Sequence, residues 1–505
     1  FKNEVTDYAA TVTKPTDIIK VIPAATGTDK YSVKIDGEAA SGGGTEVKLN
    51  NDAEQKITVA VAGTGDDGSI STTYTVTVNK VNAARLTMKT DPADASVFIS
   101  DADNKRIEPD SDGTYELIPN ADYSYAVTKG GYEGQSGTLN INADTVKNFT
   151  LNKAAENNTI DKNIKSTWDS FRGNNVNMAI GDYKTPTSAA TTKFRWAKKY
   201  GSGWGNAPSV QIIVDGKIVT MVNNNLYMLD PNSGEVLKSS KMAGPANWGY
   251  TPATYADGMI FCPLSNGRVQ AFNAKTLESL WVYQDPLKGQ SLSQITYSDG
   301  YIYTGFWNSE IKDANYVCLS VTDEDPTKTD EAKVATWKHT EAGGYYWAGS
   351  VVIGNTVIFG TDDGEQGNTS PTSKLLSVNK KTGKVISRLG LIGDQRSSIS
   401  YDKSSGRVYG TTKAGYLFSA AFDPATGKLS DLKSKAYGEG CMSTSTPVIY
   451  KGVAYIGYVQ GGNFGGKNYM LAADAKTLEE NWRVPLKGYP QGSALLSTAY
   501  EKTDG

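Results

Sequence analysis

One polar turn recurs along the C-terminal two thirds of the chain: DPNSG (230–234), NAKTL (273–277), NKKTG (379–383), DPATG (423–427) and DAKTL (474–478). Each copy follows a short β-forming run such as NLYML, RVQAF or KLLSV. A second signal precedes it. Asp215-Gly216, Asp257-Gly258 and Asp299-Gly300 lie 42 residues apart, inside IIVDGKIV, TYADGMIF and TYSDGYIY. Asp-Gly between such runs specifies a two-residue hairpin, because both central residues of a type I′ turn need positive φ. Gly354-Asn355, Asp402…Gly406 and Lys451-Gly452 take the same place later in the chain. Each unit therefore reads as strand A, a hairpin turn, strand B, a variable loop, strand C, the polar turn and strand D. Four strands in roughly 40–50 residues make a propeller blade.

The spacing predicts six complete blades, with strands A near 209, 252, 295, 350, 397 and 446. A seventh strand A is expected at Leu495–Tyr500, and Asp504-Gly505 has the form of its A–B turn. The expectation is an incomplete seven-bladed ring whose last blade borrows an outer strand from the N-terminal side, the chain being a piece of a longer protein. With 505 residues, 52 Gly and 29 Tyr, the chain has room for further turn-rich β domains. A net charge of −3 argues against nucleic acid, whose binders carry a basic surplus. No apolar run approaches the roughly 18 residues that would span a bilayer.

Residues 1–82 alternate apolar and polar in KYSVKI, TEVKL, QKITVAVAG and TYTVTVNK, separated by SGGG and GDDGS, the pattern of a small antiparallel sandwich. With its opening Tyr8-Ala-Ala-Thr-Val12 and closing Tyr74-Thr-Val-Thr-Val78 strands, this stretch resembles the cadherin-like β-sandwich modules of bacterial surface proteins. Residues 83–153 start afresh with RLTMKTDPADASVFIS. They resemble a PEGA-type module, through Pro92-Ala-Asp-Ala95 and the Lys129-Gly-Gly-Tyr132 ending, although the Glu-Gly pair of that motif is absent. The resemblance implies a spacer. Residues 154–164 read as a polar linker and 165–505 as the propeller. The acidic cluster Asp101, Asp103, Glu108, Asp110 and Asp112 lacks the spacing and glycine of a calcium loop, so no metal site is expected.

Strand D carries its own mark. Trp281 and Trp482 each fall eight residues past the first residue of the polar turn, and Trp196 and Trp337 share the place. A large aromatic on an outer strand suits the seam between blades. Together with Trp168-Asp-Ser-Phe-Arg-Gly173, the set resembles the quinoprotein-type propeller. The fold class expected is all-β: two small sandwiches followed by a quinoprotein-like propeller.

Chemistry is sparsely signalled. His339 is the only histidine, which excludes paired-histidine metal motifs and leaves one candidate for any triad. Cys262, Cys318 and Cys441 are far apart, so neither zinc nor dithiol chemistry is indicated. The quinone-dependent alcohol dehydrogenases that share the repeat hold a disulfide of adjacent cysteines over their cofactor. This chain has no adjacent cysteines, and that family's calcium ligands do not map onto it. No cofactor is therefore expected. A glycoside hydrolase would need two facing carboxylates; Glu310, Asp363, Glu365, Asp394 and Glu439 lie in loops that the sequence alone does not pair. Non-catalytic binding is the main reading, with quinone-dependent oxidation or glycoside hydrolysis as the alternative. In a four-stranded blade the D–A and B–C loops share one face, and here they are aromatic: Trp204; Trp248 and Tyr250; Phe306 and Trp307; Tyr345, Tyr346 and Trp347. These eight residues are the candidate ligand site, because concave apolar surfaces with a few polar groups hold ligands. The alternative is that they wedge blades together. The expected setting is extracellular or at the cell surface, the partner a glycan, peptide or protein. Nearest in precedent are the non-enzymatic outer-membrane assembly lipoproteins of the same fold.

Overall fold

The computed structural model describes residues 5–14, 16–22, 31–40, 44–63, 71–186, 188–200, 207–246, 251–309, 311–362, 373–461 and 466–501. It is all-β. Among the described residues the only helical element is a single 3-10 turn, Phe171–Gly173.

Between residues 7 and 81, five strands form one sheet, in which Asp7–Thr13 runs parallel to Ser71–Val81. A two-stranded sheet faces it, and Ile35, Ile57, Val59 and Val78 fill the space between. Residues 84–150 form a second sandwich of four and three strands around Leu86, Ile99, Tyr115 and Leu139.

Six four-stranded antiparallel units follow, over 212–241, 254–284, 296–342, 351–391, 400–436 and 448–486, here blades I to VI. Strands A begin one to three residues later than the spacing suggests. The hairpin chemistry is as expected: Asp215, Asp257 and Asp299 sit at φ 51°, 49° and 50°, each followed by a glycine with positive φ. Neighbouring blades are laced at their inner ends by hydroxyls. Thr254 Oγ1 donates to the Ile295 carbonyl at 2.9 Å, Thr296 Oγ1 to Ser350 at 3.0 Å and Thr411 Oγ1 to Ser445 at 2.8 Å.

The polar turn proves to be a seat for the neighbouring blade. In each copy the last residue donates its N–H to the carbonyl of the first, at 2.7–2.8 Å, and adopts positive φ. Where that residue is Gly234 or Gly383, an indole lies on it. A Cβ there would stand 2.6 Å from Trp196 or Trp337. These indoles also donate to the Pro231 and Lys380 carbonyls of the same turns. Where the last residue is Leu277 or Leu478, it holds the left-handed backbone at φ 63°, an uncommon place for leucine, and its side chain is buried instead.

Trp281 and Trp337 are fully buried at blade seams, as expected. Trp482 is not: it is 46% exposed. At the position of a seventh blade the described residues contribute only two short parallel strands, Ile180–Gly181 and Leu496–Ser497. Among the described residues no neighbouring sheet therefore covers Trp482, whose ring meets that of Tyr455. Asp504-Gly505 lies outside the described residues. Another departure is Glu331–Lys333, a strand from the long C–D connection of blade III that pairs in parallel with Trp281–Tyr283 of blade II.

Residues 84–150 do not hang free as a spacer. Gly130 and Gly131 donate their N–H groups to the Tyr301 and Thr322 hydroxyls, both at 2.9 Å, and Gly134 donates to Glu324 at 2.7 Å. Phe98 and Ala126 join the core that holds Tyr303 and Trp337. The stretch read as a linker is also bound down: Ile160 and Ile164 pack on blades I and II, and Asn273 donates to the Thr159 carbonyl.

Candidate functional site

Residues 164–181 cross the ring rather than join it as a blade. Ser166–Trp168 pairs with the inner strand of blade I, and the Asp169 carbonyl accepts from the Tyr255 N–H of blade II. Asn177 Nδ2 donates to the Ser350 and Ile399 carbonyls of blades IV and V, at 3.0 and 2.8 Å. The Ala179 carbonyl accepts from the Leu496 N–H. This segment thus closes one end of the central channel and leaves a cavity of about 430 Å³ on the other side. Its walls come from residues two to four positions ahead of strand A: Val210, Gln294, Trp347, Ser398, Thr446 and Ser493. Trp168, Phe171, Arg172 and Ala179 make the floor. A larger cavity of about 1460 Å³, between residues 94–163 and blades II–IV, is lined by lysines and aspartates of mixed sign. The axial one is the better ligand site, since it is apolar with a few polar groups, the usual character of such sites.

Beside its mouth stands a knot of aromatic and charged groups. Trp307 and Tyr346 meet edge-on at 4.8 Å, Tyr346 and Trp347 lie 4.4 Å apart, and the Arg396 guanidinium sits 4.5 Å over the Tyr346 ring. Asp362 accepts from Trp307 Nε1 and Arg396 Nη2, both at 2.9 Å, and Arg396 Nη2 also lies 3.1 Å from Asp394. Burial pushes the Asp362 carboxyl well up, against the pull of Arg396. Both carboxylates are wholly buried, so they hold the arginine and the rings in place and present no pair of acids to a sugar.

The structure places the eight aromatic candidates unevenly. Trp307, Tyr346 and Trp347 are half-buried and come together. Phe306 and Tyr345 were expected on the rim and are instead fully buried. Phe306 stacks on Tyr283; Tyr345 is wedged between Tyr316 and Phe359, with its hydroxyl donating to the His339 carbonyl. Both alternate out of the loop and into the seam. Trp204, Trp248 and Tyr250 lie outside the described residues, as do Glu310, Asp363 and Glu365. Sequence reasoning missed Arg172, Asp362 and Arg396. The FRG motif was the available signal for Arg172, while nothing local marks the others.

The fold so defined is a quinoprotein-like propeller behind a cadherin-like sandwich. Residues 1–81 match the cadherin-like beta sandwich domain family, and residues 187–312 match the family described as outer membrane protein assembly factor BamB. No curated protein matches the chain. Among solved structures, the quinohemoprotein alcohol dehydrogenase of Comamonas testosteroni is similar in fold, with TM-score 0.52 and 12% identity over 66% of this chain and 69% of that one. The quinohemoprotein alcohol dehydrogenase ADHIIG of Pseudomonas putida HK5 gives 0.49 at 12% identity, covering 68% and 70%. BamB of Moraxella catarrhalis gives 0.39 at 12%, covering 57% and 77%.

The residues present do not fit the quinone of the dehydrogenases. All three cysteines are buried and separate, and among the described residues no group of three His, Cys, Asp or Glu side chains could hold a cation. A tricarboxylate would find a partner for only one of its charges among the buried arginines lining the cavity, Arg172, because Arg396 is already matched by Asp362 and Asp394.

Proposed function

We propose that the chain is a non-catalytic recognition protein of the cell surface or extracellular space. Its propeller presents the axial cavity and the Trp307–Tyr346–Trp347 rim to a glycan, peptide or protein. The observation that supports this reading is the rim itself: three half-buried rings held by buried ionic contacts at the mouth of an apolar cavity. Aromatic side chains with little freedom left to lose make good contact surfaces. The test is a glycan and peptide array, followed by titration of any hit with Trp347→Ala and with the seam variant Trp337→Ala as control. Trp347→Ala should weaken binding at least about tenfold while costing stability on the order of 1 kcal/mol. Trp337→Ala should cost on the order of 3–5 kcal/mol. Equal large losses of stability would mean that the rim only cements blades. Stoichiometric uptake of quinone with calcium and dye-reducing activity would replace this reading with an oxidoreductase.

A further inference from the structure

Among the described residues two arginines are buried, and the surroundings treat them differently. Arg396 lies between two carboxylates. Arg172, on the cavity floor, has none within ion-pair distance among the described residues. Its Nε donates to the Asn177 carbonyl at 2.8 Å, and its Nη2 to the Met178 and Ala494 carbonyls at 3.3 and 2.5 Å. Nη1 makes no hydrogen bond among the described residues. Burial pulls the guanidinium down to about 10, so it is still charged at neutral pH. A buried, unmatched cation is costly unless something completes it.

The floor and wall also carry backbone strain. Arg172, Ala179 and Trp347 all line the cavity and all have positive φ, at 60°, 48° and 58°. Non-glycine residues rarely adopt this conformation, and such outliers cluster at ligand sites. The lining supplies apolar surface through Trp168, Phe171, Trp347 and Leu495, beside hydroxyl and amide groups such as Ser398, Thr446 and Gln294.

We infer that the axial cavity takes an apolar monocarboxylate, its carboxylate paired with Arg172 and its body between Trp168, Phe171 and Trp347. The inference rests on the recognition reading and names the chemistry of its ligand. One free nitrogen, Nη1, suits one carboxylate as a charge-assisted hydrogen bond, since Nε and Nη2 are already taken by backbone carbonyls. The carboxylate can belong to a free small acid or to the C-terminus of a peptide ending in an aromatic or aliphatic residue.

Tryptophan fluorescence and thermal shift would be followed on the whole chain, with Trp168 and Trp347 as built-in reporters. The probes are indole-3-acetate, its carboxamide, and a pentapeptide ending in phenylalanine as free acid or as amide. A saturable response to the acetate with at least about tenfold weaker binding of its amide supports a small acid. The same ratio for the peptide pair, but not the acetate pair, assigns the site to a chain terminus. Arg172→Gln should abolish the preference for acid over amide. Because Arg172 also holds the floor together, the wild-type comparison of acid and amide stands as the primary readout, with Trp347→Ala as a second variant. Equal affinity for acid and amide in both pairs, or no saturable response to any probe up to roughly 10 mM, well above ordinary ligand concentrations, overturns the inference. An array ligand whose affinity falls in Trp347→Ala but not in Arg172→Gln would overturn it too, while leaving the recognition reading intact.

Discussion

Glu341 shows how single residues are committed in this ring. It lies nearly buried between blades III and IV, where His339 Nε2 is 2.9 Å and Lys374 Nζ 2.6 Å from its oxygens and Arg388 reaches it as well. Burial pushes its carboxyl up, but the hydrogen bonds and charges of His339 and Lys374 overcome this and hold it at about 2. The folded state therefore binds fewer protons than the unfolded chain between the ordinary value of 4.5 and about 2. The stabilisation is complete above about pH 4.5 and declines as pH falls through that window. Denaturant melts of wild type and Glu341→Gln should differ clearly at pH 6, the gap narrowing below about pH 4.5 and closing only as pH approaches about 2. A gap that does not change with pH would show that the charge contributes nothing. The lone histidine is thus a partner in this contact. Its role was hidden because Lys374 and Arg388 arrive from another blade.

At the scale of the element, the polar turn and the outer-strand tryptophan form a matched pair. Gly383 has φ 69°, and a Cβ on it would stand 2.6 Å from the Trp337 ring. Gly383→Ala should therefore cost about 2–4 kcal/mol, combining left-handed strain with overpacking. Made together with Trp337→Ala, the clash vanishes, so the double mutant should be more stable than the sum of the two single losses predicts. Strict additivity in urea melts would refute the pairing. The turn, the Asp-Gly hairpins and the tryptophan spacing were all legible in the sequence, because each depends on a few adjacent residues with special φ or size. Other elements were not. Glu331–Lys333 joins blade II although blade III encodes it, and the burial of Phe306 and Tyr345 depends on which way a loop residue points. The site was legible only as an aromatic bias in one set of loops; Arg172, Asp362 and Arg396 meet it across 34 to 322 intervening positions.

Across the whole molecule, the cadherin-like sandwich and the propeller are joined through residues 84–150, which are docked on blade III. The Phe98 ring, with Arg106 and Lys338 over it at 5.4 and 5.5 Å, lies in the core that contains Trp337. Phe98→Ala should lower the melting temperature of the propeller as well as of its own sandwich, on the order of 3 kcal/mol. Hydrogen exchange confined to residues 84–150 in that variant would instead mean that the two move independently. The crossing segment carries a temporal consequence. Arg172 is made before any blade, and the Ala494 carbonyl it binds comes after six of them. During N-to-C synthesis no chamber exists until the last inner strand has arrived, so a partly made chain offers a ligand no floor to rest on. Occupancy would then favour only finished molecules, by about 2.7 kcal/mol at a hundred times the dissociation constant, and would act as a clasp drawing the first and last parts of the ring together.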